Sequence, residues 1–590
     1  MEAMIRSEAT GPPLAGAPTP HALAGIWHWA AAEPDRRLLA HHDGEAFVEH
    51  RAGQVREGVR DLAAGLVARG VEPGDRVALL ARTGVDWVYA DAAILAAGAV
   101  SVPIYDTSSL QQIERILADS GAVLVLVETL EQRRALAGAA AALPAAPEVL
   151  AFEDGAATRL AEEGHGHRDE VEARVAALTG GDLAVLIYSS GTTGEPKGCE
   201  LTHANLCANA RQTAEQVPEL FSAGARTLVF LPLAHALARI QLQTSLEQGV
   251  LTGLATSLER LPAEFAAFRP TFIVGVPRVF EKVKRNARAR AAEAGRERVF
   301  DRAADVAVRW SEAKRGGGAS WWLRAQHRLF DRLVFTRLRE AFGGELELAI
   351  CGGAALDPDL GRFFDGLGIT VLPGYGLTEA SPIVSGGPVD AVDYDAVGGV
   401  YPATTVRVAD DGEILVAGPQ VFAGYWRDPS ATAALLEAGW LRTGDLGRLT
   451  PSGQVVITGR KKEILVTAGG KNVSPGPLAD RVRAHPLVDH VVIVGEGRAF
   501  VGALVFLDHE ELARRGIDPT PPLDEAPLRA ELDVAVAAAN EAVSRGEAIR
   551  AYRIIAAPLS IDAGELTPTQ KLRRRPVEQR FGDEIEALYA

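Results

Sequence analysis

Short apolar runs alternate with helical patterns through the first half of the chain, and that alternation leaves few folds open. "VREGVRDLAAGLVARG" (55–70) carries apolar residues at helical spacing and ends on a capping glycine. "DRVALLA" then reads as a buried strand, "WVYADAAILAAGAV" as a helix and "VSVPIY" as the next strand. "GAVLVLVE" (121–128) and "DLAVLIYSS" (182–190) are further short apolar runs. Strands interleaved with helices predict an α/β fold with a largely parallel sheet, whose ligands gather at the carboxyl ends of the strands.

A second series of β/α patterns runs through "TLVFLPLAH", "TFIVGVPRVFEKV", "LELAICGGAALDP" and "ITVLPGYGLTEA". Within it lies a helical insert, about 284–345. Phe300, Ala303, Ala307 and Trp310 fall on one helical face, Gly316–Gly318 break the pattern, and Leu329, Leu333, Phe330, Val334 and Leu338 resume it. After about residue 390 the texture changes to short strands with DDG and PSG turn signals, predicting a small distorted β-barrel over 390–459. A final α+β pattern follows from Arg460. The expected organisation is therefore a flexible tail (1–20), a large N-terminal domain (21–459) with two βα-type subdomains plus the small barrel, and a small mobile α+β C-terminal domain (460–590).

At 590 residues the chain exceeds one ordinary hydrophobic core. Its formal net charge of −16 argues against a nucleic-acid partner. Cys199, Cys207 and Cys351 form no CxxC or zinc spacing and read as plain thiols of a reducing compartment. The Pro/Ala/Gly-rich start lacks a secretory h-region, and no apolar run is long enough to span a bilayer. The expectation is a cytoplasmic protein, with peripheral contact at the inner membrane surface as a further one.

The run "YSSGTTGEPKGCELTH" (188–203) follows directly on a predicted strand. Its backbone N–H groups, the hydroxyls of Ser189, Ser190, Thr192 and Thr193, and the Lys197 ammonium suit a phosphate chain. It does not fit G-x-x-x-x-G-K-[ST], because Pro196 precedes Lys197 and Gly198 follows it. With "GYGLTE" (374–379), "TGD" (443–445), "GRKKE" (459–463) and "TPTQK" (567–571) in order after it, the chain resembles the adenylate-forming superfamily. "LPLAHALAR", "VGVPRVFEKV", the helical insert and "ELTPTQKL" are most similar to long-chain fatty acyl-CoA synthetases.

The resemblance implies a two-step reaction. A fatty acid and ATP give acyl-AMP and pyrophosphate, and the acyl group then passes to coenzyme A. It places Ser189, Ser190, Gly191, Thr192, Thr193, Gly194 and Lys197 on the phosphates. Thr378 then meets the α-phosphate and Glu379 holds Mg²⁺, a hard ion suited to carboxylate oxygen. Gly353, Ala354 and Ala355 meet the adenine edge, and Gly374, Tyr375 and Gly376 belong to the nucleotide site, with Tyr375 flanking the base. Asp445 accepts the ribose hydroxyls and Arg460 donates to the same sugar. His235 lines the acyl and α-phosphate region. Lys571 neutralises charge between the attacking carboxylate and the α-phosphate.

Because Lys571 lies far along the chain, the C-terminal domain must close for adenylation and turn away for thioester formation. The hinge aligns with Lys462. Gly469, Gly470 and Lys471 are expected to face the pantetheine arm, although "PGPLAD" after Ser474 departs from the family pattern. The alternatives are a ligase loading a carrier protein (no carrier domain follows Lys571), an aryl or short-chain acid ligase, and an acyl-adenylate-binding protein without turnover. The insert and the basic stretch "KVKRNARAR" (282–290) are open to two readings: a lipid-facing entrance at an anionic membrane, or a solvated face packed on the body.

Overall fold

The computed structural model describes residues 7–143, 146–189, 196–257, 259–520, 525–541, 543–561, 563–567 and 571–590. The first series of apolar runs forms a seven-stranded sheet with the order Gly424–Tyr425, Lys197–Thr202, Leu183–Ser189, Val100–Ile104, Arg76–Leu80, Leu124–Val127, Glu148–Ala151. From Leu183–Ser189 to Glu148–Ala151 the pairings are parallel. Val77–Leu80 and the whole of Val100–Ile104 are buried, as strands covered on both faces must be.

The second series forms a nine-stranded sheet. Its parallel centre runs through Thr370–Gly376, Leu348–Cys351, Phe272–Gly275, Arg226–Val229, Leu251–Leu254 and Arg37–His42. The register Gly275↔Cys351↔Pro373 brings the turns after Gly275 and Cys351 level with Pro373, beside the end of the strand at Gly376. Gly376 is required there: a Cβ would meet the Pro382 carbonyl oxygen at 2.0 Å.

The β-rich region is a six-stranded antiparallel sheet built on Thr405–Val408, Glu413–Ala417, Trp440–Leu449 and Val455–Arg460. Its strand path is open rather than closed into the expected barrel. One end of the path is occupied by Glu8–Thr10, paired with Thr405–Arg407 and secured by Glu8–Arg407 at 2.5 Å. Residues 8–10, placed by sequence in a flexible tail, are thus an edge strand. Polar residues with no amphipathic pattern of their own gave no sign of that pairing.

Helix Pro277–Glu293 starts earlier than the predicted insert, on a proline that suits a first helical turn. Helix Glu297–Arg315 buries Phe300, Ala303, Val306 and Ala307 against helix Pro358–Gly366, where a Cβ on Gly366 would strike the Ala307 carbonyl. After Gly316–Gly318, helix Trp321–Phe330 runs into a π turn, Asp331–Phe335, before helix Thr336–Glu340. The wider turn rotates the following residues. Phe330, Phe335 and Leu338 are therefore buried while Leu329 and Leu333 face outward, against the expectation that they share the packed side.

The C-terminal region holds a three-stranded sheet, Val488–Val494, Val501–Leu507 and Ile549–Ile555, with its own core of Leu478, Val482, Val491, Val505 and Leu532. Helix Pro277–Glu293 meets this region through ion pairs: Arg278 with Asp489, Lys282 with Glu510 at 3.2 Å, and Arg285 with Asp508 at 2.6 Å. Arg288 pairs with Asp301 and Glu297. Lys282, Arg285 and Arg288 of the basic stretch are therefore engaged by acidic partners within the molecule.

Candidate active site

A cleft of about 3120 Å³ lies at the carboxyl ends of the second sheet and is closed on its far side by the C-terminal region. Three site residues predicted from separate motifs meet in one hydrogen-bonded group. Tyr375 ends strand Thr370–Gly376, and its hydroxyl donates to Asp445 Oδ2 at 2.7 Å. Arg460 Nε lies 2.8 Å from Asp445 Oδ1. Asp445 and Arg460 are direct cross-strand partners, and the turn before Asp445 uses Gly444 at φ +72°. The Asp445 carboxylate is almost wholly buried; each oxygen keeps a further acceptor site, since an ionised carboxylate offers about four. Burial and the Asp445 charge raise the Tyr375 phenol well above its ordinary value, so it remains a donor.

Gly353, Ala354 and Ala355 follow strand Leu348–Cys351 as an exposed loop that lines the cleft, with Gly353 at φ +81°. Gly374, Gly376 and Thr378 line the same wall. His235 caps helix Ala236–Gln248: its Nδ1 accepts the Leu237 N–H at 3.1 Å, which leaves the proton of the neutral ring on Nε2. Burial, with the Lys571 ammonium nearby, pushes the imidazole down to about 3. It is neutral at any physiological pH.

Lys571 comes from the C-terminal region yet lines this cleft. It presents area to solvent but stands between two walls. Loss of bulk water, then the Arg460 guanidinium, hold its ammonium below the ordinary lysine value, while the Asp445 carboxylate opposes the shift. Its backbone is held by Thr567, with Lys571 N donating to Thr567 Oγ1 at 2.9 Å and Thr567 N donating to Lys571 O at 2.8 Å.

Lys197 and Glu379 sit beside the cleft, next to its lining residues Pro196 and Thr378. Two residues that the motif reading missed connect them. Lys197 Nζ pairs with Asp428 at 2.7 Å and lies 5.5 Å from the Tyr425 ring centre, and Tyr425 donates to Glu379 Oε1 at 2.7 Å. Lys197 holds the Asp428 carboxyl well below the usual carboxylate range. The available signal was Asp428–Pro429, an N-cap followed by proline at the start of a helix. Ser190, Gly191, Thr192, Thr193 and Gly194 lie outside the described residues, as does the Ser189 side chain.

Lys462 is exposed and lines the cleft; Lys461 beside it is tied to Asp411 at 2.5 Å and Glu413 at 3.1 Å. Gly469, Gly470 and Lys471 form the exposed turn between strands Leu465–Val466 and Asn472–Val473. They are not brought to the cleft in this arrangement, and Lys471 faces Glu547 at 3.5 Å. The lining of the cleft also includes the apolar side chains of Phe230, Phe265, Val283, Ala287, Phe300 and Leu338.

Comparison with known proteins agrees with this arrangement. The chain is 45% identical over 543 residues to the long-chain-fatty-acid–CoA ligase FadD15 of Mycobacterium bovis, covering 90% of each chain. It is 27% identical over 643 residues to the long-chain-fatty-acid–[acyl-carrier-protein] ligase AEE15 of Arabidopsis thaliana, covering 96% of this chain and 87% of the other. The solved A domain of a carboxylic acid reductase from Segniliparus rugosus, in complex with AMP, shares the fold with TM-score 0.74 and 22% identity, over 96% of this chain and 94% of that one. The family described as AMP-binding enzyme matches residues 26–426 and its C-terminal domain matches 462–590, so the chain belongs to the AMP-binding enzyme family.

Proposed function

We infer that the chain is an AMP-forming long-chain-fatty-acid–CoA ligase. The observation that carries the reading is the placement of Lys571, from the C-terminal region, in one cleft with Tyr375, Asp445 and Arg460 and with the apolar lining of Phe230, Phe265 and Phe300. The polar group suits a nucleoside and the apolar lining suits an alkyl tail. In the first step a carboxylate oxygen of the fatty acid attacks the α-phosphorus of ATP and pyrophosphate leaves. Asp445 and Arg460 hold the ribose, Tyr375 and the Gly353–Ala355 backbone hold adenine, and Lys197 and the 189–194 segment take the β- and γ-phosphates. Lys571 bridges carboxylate and α-phosphate, where two anions must approach. Neutral His235 offers an Nε2–H to an oxygen in the same region. In the second step coenzyme A thiolate attacks the acyl carbonyl and AMP leaves.

The donor set fits Mg²⁺ of the kind that phosphates help to bind. Among the described residues no cluster of three His, Cys, Asp or Glu forms a protein cage. Glu379 offers one carboxylate, which is the usual protein share for an ion that keeps waters and phosphate ligands. When bound, the ion would neutralise phosphate charge.

Residues 21–459 are proposed as the adenylation domain and 460–590 as the mobile domain, hinged at Lys462. A turn about that hinge would exchange Lys571 for the Gly469–Lys471 turn, which lies away from the cleft here. A carrier-protein ligase is the second reading, because one relative bears that name; the more similar relative named for CoA favours the first. Pyrophosphate release with a panel of fatty acids, followed by thioester analysis with CoA or with a phosphopantetheinyl carrier, tests both. Release with no fatty acid of any length would overturn the inference.

A further inference from the structure

The Lys197 ammonium already has an anion within the protein, the Asp428 carboxylate at 2.7 Å. The strand register explains how the two meet. Tyr425 pairs with Cys199 across the antiparallel strands Gly424–Tyr425 and Lys197–Thr202. Ala423 N donates to Glu200 O at 3.0 Å and Trp426 N to Gly198 O at 2.8 Å, which fastens the two segments together. Lys197 stands two residues before Cys199 and so on the same face of its strand. Its Nζ accordingly lies 5.5 Å from the centre of the diagonal Tyr425 ring. The chain then turns into helix Pro429–Leu435, and the N-cap Asp428 comes within reach of the same ammonium.

The two oxygens of Asp428 have separate tasks. Oδ1 accepts the Ala431 N–H at 2.9 Å and the Ser430 hydroxyl at 2.7 Å, while Oδ2 takes Lys197. The cap therefore holds the carboxylate in place whether or not the lysine stays. The pair is also open to solvent: its side chains are 46% and 33% exposed, against 6% and 11% for Arg239–Asp91. A buried pair that parts leaves a desolvated charge behind, whereas an exposed one exchanges partners at little cost. Lys197 and Asp428 both stand outside the lining of the cleft, although Pro196, the residue before Lys197, belongs to it. Asp428 thus draws the ammonium to one side of the cleft.

We propose that Asp428 is a positioning residue that competes with the ATP phosphates for Lys197. The ammonium leaves Asp428 to grip the β- and γ-phosphates, passing over the Tyr425 ring, and returns to it as pyrophosphate departs. The exchange rests on the phosphate reading of Lys197. One cation shared between a fixed carboxylate and a mobile polyanion weakens the hold on ATP and on pyrophosphate alike, and so favours release of the first product.

The test is calorimetric titration of the full chain with α,β-methylene-ATP and Mg²⁺, together with inhibition of the first step by pyrophosphate. Asp428→Asn keeps an oxygen for the Ala431 N–H and should leave thermal unfolding unchanged. It should bind the analogue about fivefold more tightly, the upper range for an exposed ion pair, and be inhibited at a correspondingly lower pyrophosphate concentration. Lys197→Ala should bind the analogue more weakly. Asp428→Asn added to Lys197→Ala should then change the affinity by less than about twofold, because the residue it acts through is gone.

Unchanged or weaker binding by Asp428→Asn, with Lys197→Ala weakened as expected, would overturn the competition and leave Lys197 on the phosphates. Equal tightening with and without Lys197 would also overturn it, since the effect would then belong to the general field of the carboxylate. Binding by Lys197→Ala at the wild-type affinity would remove the phosphate reading itself, and the exchange with it.

Discussion

Arg285→Glu tests how the C-terminal module is held over the cleft. In the structure Arg285 Nη1 lies 2.6 Å from Asp508 Oδ2, with Asp508 only 10% exposed. Asp508 also accepts the Glu511 N–H at 3.0 Å as the N-cap of helix His509–Arg514, so it is fixed in place. A charge-assisted hydrogen bond of this kind contributes about 1.5–3 kcal/mol. The more exposed Lys282–Glu510 pair contributes about 0–1 kcal/mol. Both contacts accompany Lys571 in the cleft, and the proposed turn about Lys462 would break them. Losing the Arg285 bond should shift the balance of module positions by at least about tenfold, since about 1.4 kcal/mol is a factor of ten. Reversing the charge sets a second carboxylate against Asp508 and should extend the shift to roughly a hundredfold. The assay separates the half-reactions: pyrophosphate release in a single turnover, and thioester formation from supplied acyl-AMP. Adenylation should slow while thioester formation holds or quickens, and Arg278→Glu should act in the same direction through Asp489. Equal loss of both half-reactions, or an adenylation rate within about threefold of wild type, would refute the view that these ion pairs select the closed arrangement.

Lys571→Ala should reduce fatty-acid-dependent pyrophosphate release by about 10²-fold or more while sparing thioester formation from acyl-AMP, and Lys462→Pro, which fixes φ at the hinge, should show the opposite pattern in the same two assays. Lys197→Ala should raise the KM for ATP or lower kcat with little change in thermal unfolding; unchanged kinetics would remove Lys197 from the phosphate site. His235→Asn keeps an N-cap for helix Ala236–Gln248 and should lose activity at constant stability, whereas His235→Ala should also cost about 1 kcal/mol in a denaturant titration; full activity in both variants would leave His235 a cap alone. Burial pushes the Glu247 carboxyl up to about 7. Its protonated form is the one favoured by folding, so that contribution is complete below the unfolded value of 4.5 and is lost as pH rises through about 7. The Tm of Glu247→Gln relative to wild type should therefore climb between about pH 5 and about pH 8, and a flat difference would contradict the shift.

The strands were legible because parallel strands buried on both faces must be continuous apolar runs, as in "RVALL" and "VSVPI". Their order was not, since crossover connections rather than local pattern set it; that Leu251–Leu254 pairs with Arg37–His42 has no local signal. Tyr375, Asp445, Arg460 and Lys571 could be named from motifs, and the structure brings all four to one cleft. Asp428 and Tyr425 escaped notice because an acid and a phenol acquire meaning only through Lys197 and Glu379, which are far from them in sequence. The basic helix stayed open to two readings for the opposite reason. Its charge pattern was plain, but the acidic partners of Lys282 and Arg285 lie more than two hundred residues away. The π turn at Asp331–Phe335 changed which leucines face outward, and helical periodicity cannot anticipate a change of its own period.

The cross-strand pairing of Asp445 with Arg460 has a thermodynamic corollary. Arg460 is two residues before Lys462, and Lys461 between them is tethered to Asp411 and Glu413. The proposed sugar contact therefore closes this strand pair, and the proposed pivot lies in the turn just beyond it. Two equilibria written on one ribbon are linked: whatever factor AMP imposes on the position of the module, the module must impose on the affinity for AMP. An arrangement that welcomes thioester formation would then set the grip on AMP as well. Product retention and domain position become two readings of a single coupling free energy.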